Sequence, residues 1–185
     1  MTQILNNLSN TINNDLIIPL ISDELQLSEA EAECNKIILK SKRKNIFAFS
    51  LDTNLAKRCN MFPFFNQATP LINKVNDGII FYLSNNEIFI LLLELKTKNL
   101  GDYKKQLQAG KNFVLFLIEV LNSSFAKNYF IREENIKCIV FSLRKTVRKQ
   151  GTKRKNIVYE NIDGLDIAEL QCNDNHIIEK FFINN

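Results

Sequence analysis

Two neighbouring segments set the architecture. From Lys74 the chain reads "KVNDGIIFYL", then a polar "SNNE", then "IFILLLELKTK". Two apolar runs flanking a short polar turn predict an antiparallel hairpin. The second run is almost continuously apolar, which predicts cover on both faces, as for a central strand between helical layers. After Gly101, with Asp102 near the helix start, Tyr103, Leu107, Gly110, Val114, Leu117 and Leu121 recur at spacings of three and four, so a long amphipathic helix should reach about Asn122. "IKCIVFSL", Ile136 to Leu143, then reads as a strand, and strand, helix and strand make a crossover suited to parallel pairing.

The flanks are patterned less sharply. The opening "MTQILNNLSNTINND" predicts a short helix or a frayed arm. Ser28 and Glu31 form an S-x-x-E capping box, and Ala30, Cys34, Ile37, Ile38 and Ser41 mark one face of a helix to about Lys42. "NIFAFSL" reads as a strand, Asp52 as the cap of a short helix through Cys59, and "MFPFFNQATPL" as a proline-punctuated loop packed through Phe62, Phe64 and Phe65. Phe81, Phe89, Phe113 and Phe116 fit core faces. Towards the end, "NIVYEN" and "IAELQC" predict strands and "NHIIEKFF" a terminal helix. The class is α/β, with a mixed central sheet flanked by helices. At 185 residues one domain is expected over 1–185, its core about 28–143 and its basic segment and C-terminal appendage 144–185.

Composition narrows the chemistry. Four dispersed cysteines with no CxxC pair and a single histidine, His176, argue against a zinc site and against a Ser/His/Asp or Cys/His hydrolase. The expectation is reduced thiols in a cytoplasmic protein. The apolar run from Ile88 to Leu93 is too short to span a bilayer, and no secretory signal opens the chain, so no membrane partner is expected. The net charge of +4 is unevenly placed: Arg144, Lys145, Arg148, Lys149, Lys153, Arg154 and Lys155 fall within twelve residues that contain no acid. Such a block is either a solvated loop or a contact for a polyanion, and its clustering in an otherwise balanced chain favours nucleic acid.

The candidate chemistry lies at the end of the apolar strand. Side chains alternate along a strand, so Glu94 and Lys96 share one face, and hairpin pairing brings Asp77 near Glu94. Two carboxylates converging at a sheet edge make a hard oxygen site of the kind that Mg²⁺ takes, and a divalent cation turns their repulsion into attraction. Lys96 beside them can steer or deprotonate an attacking water or stabilise charge developing on phosphate. A surface ion pair at a strand end is the bland alternative.

Asp77, a turn, then "ELK" at Glu94 to Lys96, between an acid-bearing helix upstream and a long helix downstream, resembles the PD-(D/E)XK nuclease superfamily. The resemblance covers about Ser28 to Leu143 and implies a restriction-endonuclease-like core. It also implies a nuclease that hydrolyses phosphodiester bonds with Mg²⁺ or Mn²⁺, in DNA more than RNA, as in restriction, repair, recombination or phage defence. It makes Asp77 and Glu94 metal ligands, together with the main-chain carbonyl of Leu95, and makes Lys96 the catalytic lysine. A further glutamate from the first helix would be Glu33, with Glu31 the fallback, although Glu33 could equally pair with Lys36. Gln106 matches the polar residue that many members carry on the helix after the strand. Exonuclease-like members add a tyrosine where this chain has Gly110, and Asn76 stands in place of the proline of the family name. Duplex cutting would call for a homodimer or a partner protein, and Lys98, Lys104 and Lys105 could hold phosphates. A catalytically inactive nucleic-acid-binding or partner-binding subunit with the same fold is the alternative.

Overall fold

A computed structural model describes residues 2–28, 34, 36–52, 74–96, 100–143, 157–172 and 175–182. Its centre is the expected hairpin. β5 (Gly78–Ser84) and β6 (Glu87–Leu95) pair antiparallel from Ser84↔Glu87 to Gly78↔Leu93. The turn between them places Asn85 and Asn86 at φ of 48° and 63°. Asparagine tolerates this left-handed region, and two such residues in succession suit the twist of flanking strands. β4 (Ile46–Phe49) pairs with β5 on the outer side.

From β6 the chain crosses through helix α2 (Tyr103–Phe125) to β7 (Ile136–Ser142), which lies parallel to β6. α2 buries Leu107, Gly110, Val114, Leu117, Ile118 and Leu121, the expected stripe with Ile118 added. Its end is marked by Ala126 in the left-handed conformation, with the cap amide bonded to the Asn122 carbonyl. β9 (Leu165–Gln171) continues the sheet parallel to β7, and β8 (Glu160–Ile162) closes it. The resulting six-stranded mixed sheet has the order β4-β5-β6-β7-β9-β8.

Both faces of this sheet are covered, as the apolar character of β6 requires. On one face Ile90, Leu92, Val140 and Ile167 meet α2 and helix α1 (Thr2–Thr11). On the other, Leu91, Leu93, Ile139 and Phe141 meet Leu25, Leu27, Ile37 and Leu39 of a second sheet. That sheet contains β1 (Leu20–Ile21), β2 (Glu24–Ser28), β3 (Lys36–Lys40) and β10 (His176–Ile177), in the order β1-β2-β3-β10. The protein is therefore α/β, with two sheets and two described α-helices.

Several expectations give way. The helix expected from Ser28 to Lys42 gives way to strand at both described ends: Ser28 ends β2, and Lys36–Lys40 is a strand with Ile37 and Leu39 buried on one face and exposed Lys36 and Lys40 flanking half-buried Ile38 on the other. A period of two fits that segment better than the helical face assigned to it, because the apolar run "IIL" between lysines serves either pattern and tertiary cover decided. His176 lies in β10 rather than on a helix, and Ile178–Phe182 forms a 3₁₀ turn. The C-terminal residues are not an appendage, since β9 sits inside the main sheet and β10 completes the second. Phe116 is 63% exposed and not core. Cys34 and Cys172 form a disulfide across 138 residues of sequence, which overturns the expectation of reduced thiols at those two positions. Spacing hides such a pair, because the sheets bring its members together only once folded. Cys138 is a buried free thiol, its pKa pushed up to about 12 by burial. No described helix is long and apolar enough to cross a membrane.

Candidate functional site

The site forms where the β5–β6 hairpin opens. Because Gly78 pairs with Leu93, the next residues out, Asp77 and Glu94, face each other across the two strands. Asp77 is anchored rather than loose: its Oδ2 accepts a 2.5 Å hydrogen bond from the Leu95 amide. A side chain thus takes a main-chain donor of β6 just beyond the last paired residues of β5. Glu94 continues the row of Ile90 and Leu92 on the helix-covered face and is fully buried.

Lys96 follows on the same face, with its amide bonded to the Phe141 carbonyl of β7 at 2.8 Å. Its ammonium lies 2.6 Å from Glu94 Oε1 and donates to Gln106 Oε1 at 2.7 Å. Gln106, on the first turns of α2, passes the restraint on, because its Nε2 donates to the Val75 carbonyl at 3.2 Å. Strand, helix and the approach to β5 are thereby tied through one lysine. Its side chain is 18% exposed against 0% for Glu94, so this is not the surface ion pair of the bland alternative.

The electrostatics set Glu94 apart. Contact with Lys96 is close but poorly directed, and neither carboxylate oxygen has a hydrogen-bond partner of good geometry among the described residues. Burial pushes the Glu94 pKa up to about 8, and the Asp77 charge adds to the rise. Lys96 and the Asp77 amide only partly offset it. A buried carboxylate without sufficient donors holds its proton near neutral pH. A hard divalent cation would compete with that proton, so Asp77, Glu94 and the main chain at Leu95 have donor chemistry that fits Mg²⁺ or Mn²⁺. Among the described residues no group of three or more His, Cys, Asp or Glu side chains stands together to hold a metal. The two carboxylates are the acidic set, and the expected third, Glu33, lies outside the described residues, as does Glu31.

The site reaches further along the sheet than the sequence suggested. In the β6–β7 register Glu94 pairs with Val140, and Val140 pairs in turn with Glu169 of β9. Ser142, fully buried at the end of β7, donates to Glu169 Oε1 at 2.6 Å. An apolar strand ending on a polar residue, "KCIVFS", was the available signal and repeats that of "LLLELK". Arg144, Lys145, Arg148, Lys149, Lys153, Arg154 and Lys155 lie outside the described residues. In the sequence they come after Leu143, the residue that follows Ser142 at the end of β7. Lys98 is likewise outside. Lys104 and Lys105 are exposed, near Asp163 at 3.6 Å and Asp102 at 3.4 Å.

Comparison with known proteins finds no match: no family model, no curated protein and no solved structure is similar to this chain at a significant level.

Proposed function

We propose that this protein is a metal-dependent nuclease that hydrolyses phosphodiester bonds, with DNA the favoured substrate, in the manner of the PD-(D/E)XK nucleases. One observation carries the reading: Glu94 is fully buried without a hydrogen-bond partner of good geometry, opposite Asp77 and beside Lys96, at the end of a central strand. An acid costly to bury in that state is retained most readily where a ligand satisfies it. The chain order supports the same reading, since an antiparallel three-strand meander is followed by a crossover helix and a parallel strand.

In this reading Asp77 and Glu94 would hold the cation, with the Leu95 carbonyl as a further oxygen donor. Bound there, Mg²⁺ or Mn²⁺ supplies Lewis-acid polarisation of the phosphate and a nucleophilic water at neutral pH. Lys96, aimed by Gln106, offers an ammonium where charge develops on the phosphate oxygens. The basic residues between Arg144 and Lys155 would hold the nucleic-acid backbone without reading its sequence. Family analogy alone extends the proposal to a role in restriction, repair or phage defence, to action as a homodimer or with a partner protein, and to a cytoplasmic location. The Cys34–Cys172 disulfide lends no support to that location.

The test is a cleavage assay on plasmid, linear duplex, single-stranded DNA and RNA with Mg²⁺, Mn²⁺ or chelator, comparing the wild type with Glu94→Ala. Cleavage by the wild type that the metal restores and Glu94→Ala abolishes is the expected result. Equal activity in the two proteins would sink the site assignment, and metal-independent binding without cleavage by either would point to an inactive nucleic-acid-binding subunit.

A further inference from the structure

Asn76 stands where the resembled family has proline, and its surroundings give it work of its own. It is fully buried on the approach to β5, one residue before Asp77. Its Nδ2 donates to the Gly78 carbonyl at 2.5 Å and lies 3.5 Å from the Leu93 carbonyl, so one amide group touches both strands just inside the Asp77–Glu94 pair. Its Oδ1 has no hydrogen-bond partner among the described residues. That oxygen faces α2 at Gly110: a Cβ built there would overlap Oδ1 and stand 2.9 Å from Cγ.

Asn76 is thus held from two sides, by the strand carbonyls and by a helix backbone that approaches closely only because residue 110 has no side chain. We propose that Asn76, clasped by Gly110, is a positioning residue that fixes the backbone turn from which Asp77 reaches the Leu95 amide. The inference rests on the nuclease reading for its link to metal and on geometry alone for its link to Asp77. Residues that orient a ligating carboxylate change metal affinity by roughly 10- to 100-fold when removed. Gly110→Ala should act through the same contact while favouring the helix itself, since alanine is the better helix former.

The test compares wild type with Asn76→Ala, Gly110→Ala, the double variant and Asp77→Ala in two measurements. Hydrogen exchange of the Leu95 amide, read without metal, reports whether Asp77 still accepts from it. Mn²⁺ binding to the metal-free protein, read by calorimetry, reports the carboxylates. Each single variant should speed Leu95 exchange and weaken Mn²⁺ binding about tenfold, with circular dichroism unchanged. The double variant should be no worse than Asn76→Ala, because both substitutions act through one side chain. Should Asn76→Ala fail to fold, Gly110→Ala, which removes no atom of Asn76, decides the matter. Wild-type exchange and affinity in Gly110→Ala, with both lost in Asp77→Ala, would overturn the inference and leave the nuclease reading standing. Independent, multiplying effects in the double variant would overturn it as well. If Asp77→Ala leaves Mn²⁺ binding unchanged, the nuclease reading falls, and Leu95 exchange still judges Asn76.

Discussion

Two lysine–carboxylate pairs sit on the main sheet, each with one partner buried, and they are built in opposite ways. At one edge Lys137 of β7 donates to Asp166 of β9 at 2.8 Å, and Asn161 donates to the other Asp166 oxygen at 2.9 Å. The Lys137 ammonium also lies 5.1 Å from the centre of the Tyr159 ring. These hydrogen bonds hold the Asp166 carboxyl below its usual range. At the other edge Glu94 is more deeply buried, meets Lys96 without good hydrogen-bond geometry, faces Asp77, and is pushed up to about 8. The residue types match, yet the first pair is saturated and the second is short of donors. A saturated pair has nothing left to offer a ligand, whereas a pair short of donors gains from one. Pairing of charges alone does not separate a satisfied cluster from an unsatisfied one; the burial of the acid and the geometry of its donors do.

The largest expected effect tests that contrast in the assay of function. Asp77→Ala, Glu94→Ala and Lys96→Ala should each reduce metal-dependent cleavage by about 1,000-fold, equivalent to roughly 4 kcal/mol of transition-state stabilisation. Lys137→Met should leave it within about twofold. Steady-state cleavage rates of the four purified variants check this, and comparable losses at both edges would remove the distinction.

Next in size is a pH effect on the metal-free protein. Glu94 titrates near 8 when folded, against an ordinary glutamate value of 4.5 when unfolded. Between those values the folded chain keeps a proton that the unfolded chain has released, so stability must fall as pH rises through that window. The loss amounts to about 1.4 kcal/mol for each pH unit in which only the folded chain holds the proton, hence on the order of several kcal/mol across the window. Urea unfolding in chelator at a series of pH values should show the decline, and Glu94→Gln should flatten it. Added Mn²⁺ should restore stability at the alkaline end and release protons as it binds. A wild-type curve that is level from pH 5 to 8 would refute the unsatisfied state of Glu94.

Much of this edge is legible in the sequence. Asp77, Glu94 and Lys96 followed from strand alternation and hairpin pairing, which are local rules, and the helical stripe around Gly110 followed from period alone. What could not be read was non-local. The strand at Lys36–Lys40 owes its form to cover from β5 and β6, and the Cys34–Cys172 bond spans 138 residues. The Ser142–Glu169 contact needs the β7–β9 register, which sits beyond a basic segment that breaks the pattern. In the sequence Gly110 marks only the place of an absent tyrosine, whereas its neighbour in space is Asn76.

The smallest expected effect falls on the saturated pair. Lys137→Met keeps most of the apolar stem and deletes the ammonium. Asp166 would keep its bond from Asn161, and its side chain is 31% exposed, so water can supply the rest. The cost should therefore be about 1 kcal/mol at pH 7, below the 3 kcal/mol or more that follows when an ion is stranded in a dry interior. The sign of its pH dependence opposes that of Glu94. A carboxyl whose folded pKa is depressed contributes stability above its ordinary value of 3.8, and that contribution fades as pH falls through the folded value. Wild type and Lys137→Met should thus differ in urea midpoint at pH 7 and converge below pH 3.8. A gap that persists undiminished in acid would mean that the lysine stabilises through its contact with Tyr159 rather than through Asp166, and the account of this edge as a saturated ion pair would have to be replaced.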